Sequence, residues 1–170
     1  MIREKVMIGA LADYSQFENV DNILSRGIDT ECSLSLWNKL FLTGSYSYTK
    51  ATYNNRHESI YGLPLRHEPP HKANLNLRYL IPNLGAEGNT LTLGANLFYV
   101  SKFPVDLVIY STPYVPHQSP VSLSVSYTLL KGALTASFDA KNIFNQQIFD
   151  NYALQKPGRA FYGKLVYTLQ

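Results

Sequence analysis

The chain has 170 residues, of which 45% are hydrophobic, 13% aromatic and only 16% charged. Its net charge is +3 and it has no basic run or basic helix, so a nucleic-acid-binding function is excluded. No stretch of about 18 apolar residues occurs, which excludes a transmembrane helix, and the single cysteine, Cys32, excludes an internal disulfide. Residues 1–16 have no sustained apolar core before a small-residue cleavage site, so we expect no signal peptide.

Apolar and polar residues alternate repeatedly along the chain and predict β-strands, because an extended chain has a period of two residues. The clearest case is 120–130, where Val121, Leu123 and Val125 alternate with serines. No long window has the 3.6-residue period of a helix. The predicted strands, eight in all, occupy residues 5–14, 28–37, 40–50, 72–81, 90–100, 120–130, 133–141 and 161–170.

The connections between these strands alternate in length. Residues 38–39, 82–89 and 131–132 form the shorter connections, and the nine prolines all lie between strands or at their ends, where a backbone ladder tolerates them. The long connections are 51–71, 101–119 and 142–158. This order predicts an up-and-down antiparallel meander with its long loops at one end.

Three features predict that the apolar face meets lipid rather than a soluble core. The strands approach ten residues, the length that crosses a membrane, whereas strands of soluble proteins average about 5–6. The polar face is built from Ser, Thr and Asn rather than Lys and Glu. Aromatic residues on the apolar face gather at the strand ends, as in the two aromatic girdles of outer-membrane barrels. They are Trp37, Tyr79, Tyr127 and Tyr167 near the shorter turns, and Tyr46, Tyr48, Tyr99 and Phe161 near the long loops. The predicted fold is therefore all-β, an antiparallel up-and-down transmembrane β-barrel with a polar lumen.

Several motifs near the C-terminus occur in a characteristic order. An Asn-hydrophobic-Phe segment follows the penultimate strand, and a Pro-Gly-Arg segment with an aromatic residue precedes the last one. Residues 25–36, 44–53 and 63–79 carry matching strand openings further upstream. Together these segments resemble the C-terminal part of the β-barrel domain of TonB-dependent outer-membrane receptors. The C-terminal motif residues are Asn142, Phe144, Pro157, Gly158, Arg159 and Phe161.

The resemblance implies both a location and a function. Members of the family combine an N-terminal plug with roughly two dozen barrel strands, so we expect residues 1–170 to be one C-terminal barrel segment without a plug. It would lie in the outer membrane, in contact with the lipid bilayer, the missing plug and the remaining barrel strands. The implied function is energy-coupled uptake of a scarce nutrient such as a ferric siderophore, with a TonB-type energy transducer acting through the absent plug. The family's usual terminal aromatic is replaced by Leu169 and Gln170.

Two of the long loops contain candidate binding residues. In the loop 101–119, Tyr110, Tyr114 and His117 could contact a small-molecule ligand, because loops carry recognition while strands carry the scaffold. In the loop 51–71, His57, His67 and His71, beside Glu58 and Glu68, are candidate metal ligands, although their spacing matches no standard site. We expect no cofactor and no enzymatic activity, since the sequence has no nucleophile elbow, Walker loop or dinucleotide motif.

Two other interpretations of the same pattern remain open. Eight strands can close by themselves, so the chain could be a complete small outer-membrane barrel with a structural or adhesion role. Alternation of apolar and polar residues does not by itself show which face of the sheet meets water. The same pattern therefore also fits a soluble lipocalin-like carrier. Partitioning between detergent and water would separate the carrier from both membrane alternatives, and the coding sequence upstream would separate the receptor segment from the small barrel.

Overall fold

A computed structural model of the protein describes residues 2–11, 14–57, 59–106, 113–151 and 154–169. An eight-stranded antiparallel sheet, in the order β1-β2-β3-β4-β5-β8-β9-β12, runs through these residues, with two short hairpins, β6-β7 and β10-β11, in the loops. The described residues include no helix that is long and apolar enough to cross a membrane. The strands are β1 Ile2–Leu11, β2 Tyr14–Leu36, β3 Leu40–Tyr53, β4 His71–Pro82, β5 Thr90–Val100, β6 Phe103–Pro104, β7 Tyr114–Val115, β8 Val121–Leu129, β9 Leu134–Lys141, β10 Phe149–Asn151, β11 Leu154–Gln155 and β12 Ala160–Tyr167.

The up-and-down antiparallel order predicted from the sequence is confirmed. Each long strand pairs with the next long strand along the chain, and from the β2–β3 connection onward the short and long connections alternate as expected. The sheet is open rather than closed, because β1 and β12 are the two ends of the strand order.

The first half of β2 is the main element that the alternation did not predict. The strand has 23 residues, whereas the sequence pattern marks only 28–37. Its later half, from Ile23 to Leu36, pairs with β3, and its earlier half, from Tyr14 to Leu24, pairs with β1. Residues 14–27 show no clean period of two in the sequence, and backbone pairing with the neighbouring strand β1 extends β2 through this part of the chain.

The strand register places most of the alternating apolar side chains on one face of the sheet, while Phe41, Phe98 and Val166 lie on the other. Leu34 stands opposite Leu42, and this row continues across the sheet to Phe161. Residues directly opposite each other on antiparallel strands share a face, so the row forms a continuous apolar stripe. Its members are Leu34, Leu42, Leu77, Ala95, Leu123, Ala140 and Phe161. On the other face, the corresponding polar row is Ser33, Thr43, Asn76, Asn96 and Ser122.

The apolar face of the sheet is not covered by any other described part of the chain. Leu34 is 47% exposed, Leu123 45%, Phe138 48% and Leu165 71%. A contiguous apolar surface of this extent marks contact with a partner or a membrane rather than with water. Among the described residues, no dry core therefore forms over the apolar face of the sheet.

The buried apolar residues gather instead among the long loops. One cluster joins Ile23, Ala51 and Tyr53 at the ends of β2 and β3 to Leu65 of the following loop. The second joins Phe103, Val105 and Val115, against which Val100 and Phe149 pack. The hydrophobic core thus lies at the loop end of the sheet, and it fixes the loops relative to the strands.

Candidate functional site

The loop end of the sheet contains a cavity of about 630 Å³. Its walls come from the end of β3, the loop before β4 and the segment around β6 and β7. The lining includes three residues singled out from the sequence, namely His71, Tyr114 and His117. The structure therefore brings together one predicted metal ligand and two predicted ligand-binding residues. Tyr110, the third of the predicted ligand-binding residues, lies outside the described residues.

The cavity opens on the apolar-face side of the sheet. Val115 is 2% exposed and pairs with Phe103, whereas its neighbour Tyr114 is 46% exposed and pairs with Pro104. Alternation along this short hairpin turns Val115 toward the polar-face side, where Val100 packs. Tyr114 therefore projects the opposite way, toward the apolar-face residues His71 and Tyr99 that also line the cavity.

His71 belongs to an aromatic cluster at the end of the apolar face. Its Nδ1 lies 2.8 Å from the hydroxyl oxygen of Tyr46, and its ring centroid lies 5.0 Å from that of Tyr48. Its backbone N–H donates to the Oγ of Ser101 at 3.0 Å. The aromatic girdle predicted near the long loops thus contains a histidine that bridges two of its tyrosines.

The three histidines proposed from the sequence as metal ligands are not gathered into one site. Among the described residues, no group of three or more His, Cys, Asp or Glu side chains is placed to hold a metal ion. His57 is exposed, and His67 adopts a positive φ of 58° and donates its backbone N–H to the Pro104 carbonyl at 2.8 Å. Glu68 lies 3.8 Å from the Nζ of Lys72, and Glu58 lies outside the described residues.

The C-terminal motif joins the last two strands through side-chain amides. Asn142 is 4% exposed, and its side chain exchanges two hydrogen bonds with the Gln146 backbone, at 2.8 and 3.0 Å. The Oδ1 of Asn145 accepts the Arg159 N–H at 2.9 Å, and a Cβ added to Gly158 would lie 2.5 Å from that oxygen. A side chain at position 158 would therefore have to displace the Asn145 amide from the Arg159 N–H.

The other motif residues lie on the surface around this connection. Phe144 is 74% exposed and Pro157 is exposed. The guanidinium carbon of Arg159 lies 5.9 Å from the Phe161 ring centroid, and that ring stacks on Phe138. The motif thus specifies a loop connection and a strand start rather than a set of converging chemical groups.

A residue that the sequence did not single out connects two of the long loops. Gln118 is 4% exposed, and its backbone exchanges two hydrogen bonds of 2.8 Å with Val100. Its Nε2 donates to the Phe149 carbonyl at 2.9 Å, and its Oε1 accepts the Phe149 N–H at 2.8 Å. A single glutamine between prolines carries no periodic signal, so only the three-dimensional arrangement reveals this clamp.

The polar face forms a wall with its own cavity of about 580 Å³. The Nδ2 of Asn96 lies 2.8 Å from the Oδ1 of Asn74 and 2.6 Å from that of Asn76. The guanidinium carbon of Arg78 stands 4.6 Å from the centroid of the Phe41 ring. These amides and cations can bind water or a polar surface, and they lie opposite the exposed apolar face.

A family model described as TonB dependent receptor-like, beta-barrel matches residues 5–143. The chain belongs to this family. This TonB-dependent receptor barrel is similar to the crystal structure of BauA, the ferric preacinetobactin receptor from Acinetobacter baumannii, with a TM-score of 0.72 and 16% sequence identity. The match covers 98% of this chain and 26% of BauA, so the chain spans about a quarter of that receptor's length. No curated protein matches the sequence.

Proposed function

We propose that this chain forms part of the barrel wall and the loops of an outer-membrane receptor that imports a scarce nutrient. One observation carries the proposal: the apolar face stays uncovered across the sheet while the opposite face is a polar wall. In a bilayer that arrangement turns Leu34, Leu123 and Leu165 toward lipid and the asparagines toward a wet lumen. A soluble lipocalin-like carrier requires the reverse, with its apolar side chains enclosed.

The open sheet supports the proposal that further strands complete the barrel. Backbone groups exposed to hydrocarbon have no water to bind, so a membrane-spanning sheet has to close. In the proposed receptor, strands from elsewhere in the protein pair with β1 and β12, and residues 1–170 are its C-terminal barrel segment. A plug domain then fills the lumen against the polar wall and transmits energy from a TonB-type transducer.

We propose a ferric siderophore as the nutrient. The fold that this chain shares with BauA, a ferric preacinetobactin receptor, supports this class of substrate. The substrate would pass along the polar wall, where Arg78 and the amides of Asn74 and Asn96 supply charge and hydrogen bonds. Tyr114 and His117 border a cavity on the opposite side, so their contact with the substrate stays a prediction from the sequence.

Uptake by cells tests the proposal directly. A strain lacking the full-length gene would be compared with the same strain complemented by it, under iron limitation, with radiolabelled ferric siderophores of several chemical classes. We expect complementation to restore uptake of one class, and collapse of the inner-membrane proton gradient to abolish it. Recovery of the protein in the soluble fraction would overturn the membrane assignment, and unchanged uptake of every class would overturn the siderophore.

A further inference from the structure

Three cations stand at the loop end of the apolar face, just beyond the aromatic residues. Arg26 and Lys50 are directly opposite each other on β2 and β3, two positions beyond the pair Ile28 and Tyr48 on the same face. Lys102 follows β5, and its Nζ lies 5.6 Å from the centroid of the Tyr114 ring. All three side chains are exposed.

The ion pairs among side chains that the structure describes, from residue 22 onward, include none of these three cations. Like charges placed directly opposite each other on antiparallel strands destabilise a sheet. The Arg26–Lys50 pair therefore favours an anion between or beside its two charges. One acid, Glu68, also lines the cavity, and it has the Nζ of Lys72 at 3.8 Å.

The cavity of about 630 Å³ provides a place for such an anion. Lys50 and Lys102 line it together with His71, His117 and the aromatic rings of Tyr99 and Tyr114. Ammonium and imidazole groups bind phosphate, and tyrosines at the edge of an apolar band lie at the depth of lipid headgroups. A ligand with its anionic part here would extend its apolar part down the exposed leucine rows.

We propose that this outer-wall cavity binds a membrane lipid whose phosphate-bearing headgroup has a net negative charge. The inference rests on the proposed membrane orientation, because only that orientation places the cavity at headgroup depth. Arg26, Lys50 and Lys102 supply the charge, Tyr114 and Tyr99 cover the glycerol or sugar part, and the acyl chains lie along the apolar face. The ligand is thus a structural lipid on the outside of the barrel, distinct from the nutrient that passes through it.

Lipid binding by the full-length receptor tests the proposal. Purified protein in neutral detergent would be titrated with phosphatidic acid or with phosphatidylcholine, and bound lipids would be counted by native mass spectrometry. The variant Lys50→Glu/Lys102→Glu should bind phosphatidic acid about tenfold more weakly than the parent protein, because each cation contributes to anionic lipid binding. The control Lys141→Glu/Lys164→Glu makes the same charge change on the polar face and should leave binding unchanged.

Three outcomes would overturn the proposal. They are equal loss of binding in both variants, equal affinity for phosphatidylcholine, and displacement of the lipid by inorganic phosphate alone. Heat-dependent gel mobility of each variant verifies that the barrel is folded, and Lys50→Gln/Lys102→Gln replaces the charge-reversal variant if that protein does not fold. Uptake of the nutrient is measured on the same proteins, so a failure of lipid binding with normal uptake contradicts this inference and leaves the proposed function standing.

Discussion

At the residue scale, the loops are held by a few side-chain amides that replace missing backbone partners. Asn142, Asn145 and Gln118 lie between strands, and the side chain of each accepts a backbone N–H from another residue. A buried backbone group left without such a partner costs about 1–3 kcal/mol. Single substitutions at these positions should therefore affect the stability of a whole loop.

Gly158→Ala should destabilise the protein by about 0.5–1.5 kcal/mol, the net contribution of a typical hydrogen bond, because the new methyl group would displace the Asn145 amide from the exposed Arg159 N–H. Equilibrium unfolding in lipid vesicles measures the change. Gly163→Ala is the matched control, since a Cβ there meets nothing within 4 Å. Equal effects of the two substitutions would contradict the assigned role of Gly158.

Gln118→Met should loosen the connection between the loop 101–119 and the loop 142–158 while the strands of the sheet stay paired. The Phe149 N–H and carbonyl would both lose their partner, at a cost of about 1–3 kcal/mol for each unsatisfied buried group. Amide hydrogen exchange should accelerate in residues 142–151. Gln155→Met, at an exposed position on β11, should leave that exchange unchanged, and acceleration by both variants would refute the clamp.

At the element scale, the strands differ in how far their own sequence specifies them. Alternation predicts β3, β4, β5, β8, β9 and β12 closely, because each has a lipid-facing and a lumen-facing row in the proposed barrel. The first half of β2 lacks such a pattern, and its partner β1 determines it. The same limit applies at the loop end, where the Gln118 clamp and the cavity depend on contacts between residues far apart in sequence.

The assignment of faces is tested by two arginines at adjacent positions of β8. Leu123→Arg should destabilise the barrel by about 2–4 kcal/mol, the cost of an arginine on the lipid face near the bilayer midplane. Ser124→Arg should cost far less, because Ser124 stands on the polar face directly opposite Asp139. Unfolding in lipid vesicles compares the two, and a larger loss from Ser124→Arg would reverse the assignment.

At the scale of the whole molecule, the two sheet edges dominate the behaviour of the chain. The outer edges of β1 and β12 carry backbone groups with no partner strand in the described sheet. Each unpaired backbone N–H or C=O group costs several kcal/mol in hydrocarbon, and this cost adds up along the whole edge of a strand. The sheet therefore depends on further strands, or on other copies of the chain, to occupy a membrane.

The 170-residue chain expressed alone should oligomerise or aggregate and should take up no siderophore. Cysteines placed along β1 and β12, with Cys32 replaced by Ser, test this by oxidation in detergent. We expect cross-links between copies. Efficient cross-links in a regular register within a monomer would instead identify a small barrel that closes on itself.

The two buried apolar clusters at the loop end also affect how the loop sequences of related receptors can change. Leu65 and Val115 anchor their loops in the two buried clusters, and the Gln118 clamp joins two loops by hydrogen bonds. Because these contacts hold the loop ends in place, the exposed residues of the loops can change. Substitutions at exposed loop positions can then accumulate without disturbing the strand register. When the segment from Val100 to Phe149 is exchanged as one unit between related receptors, we expect the product to fold, as judged by heat-dependent gel mobility. When the loop 101–119 or the loop 142–158 is exchanged alone, we expect the product to misfold.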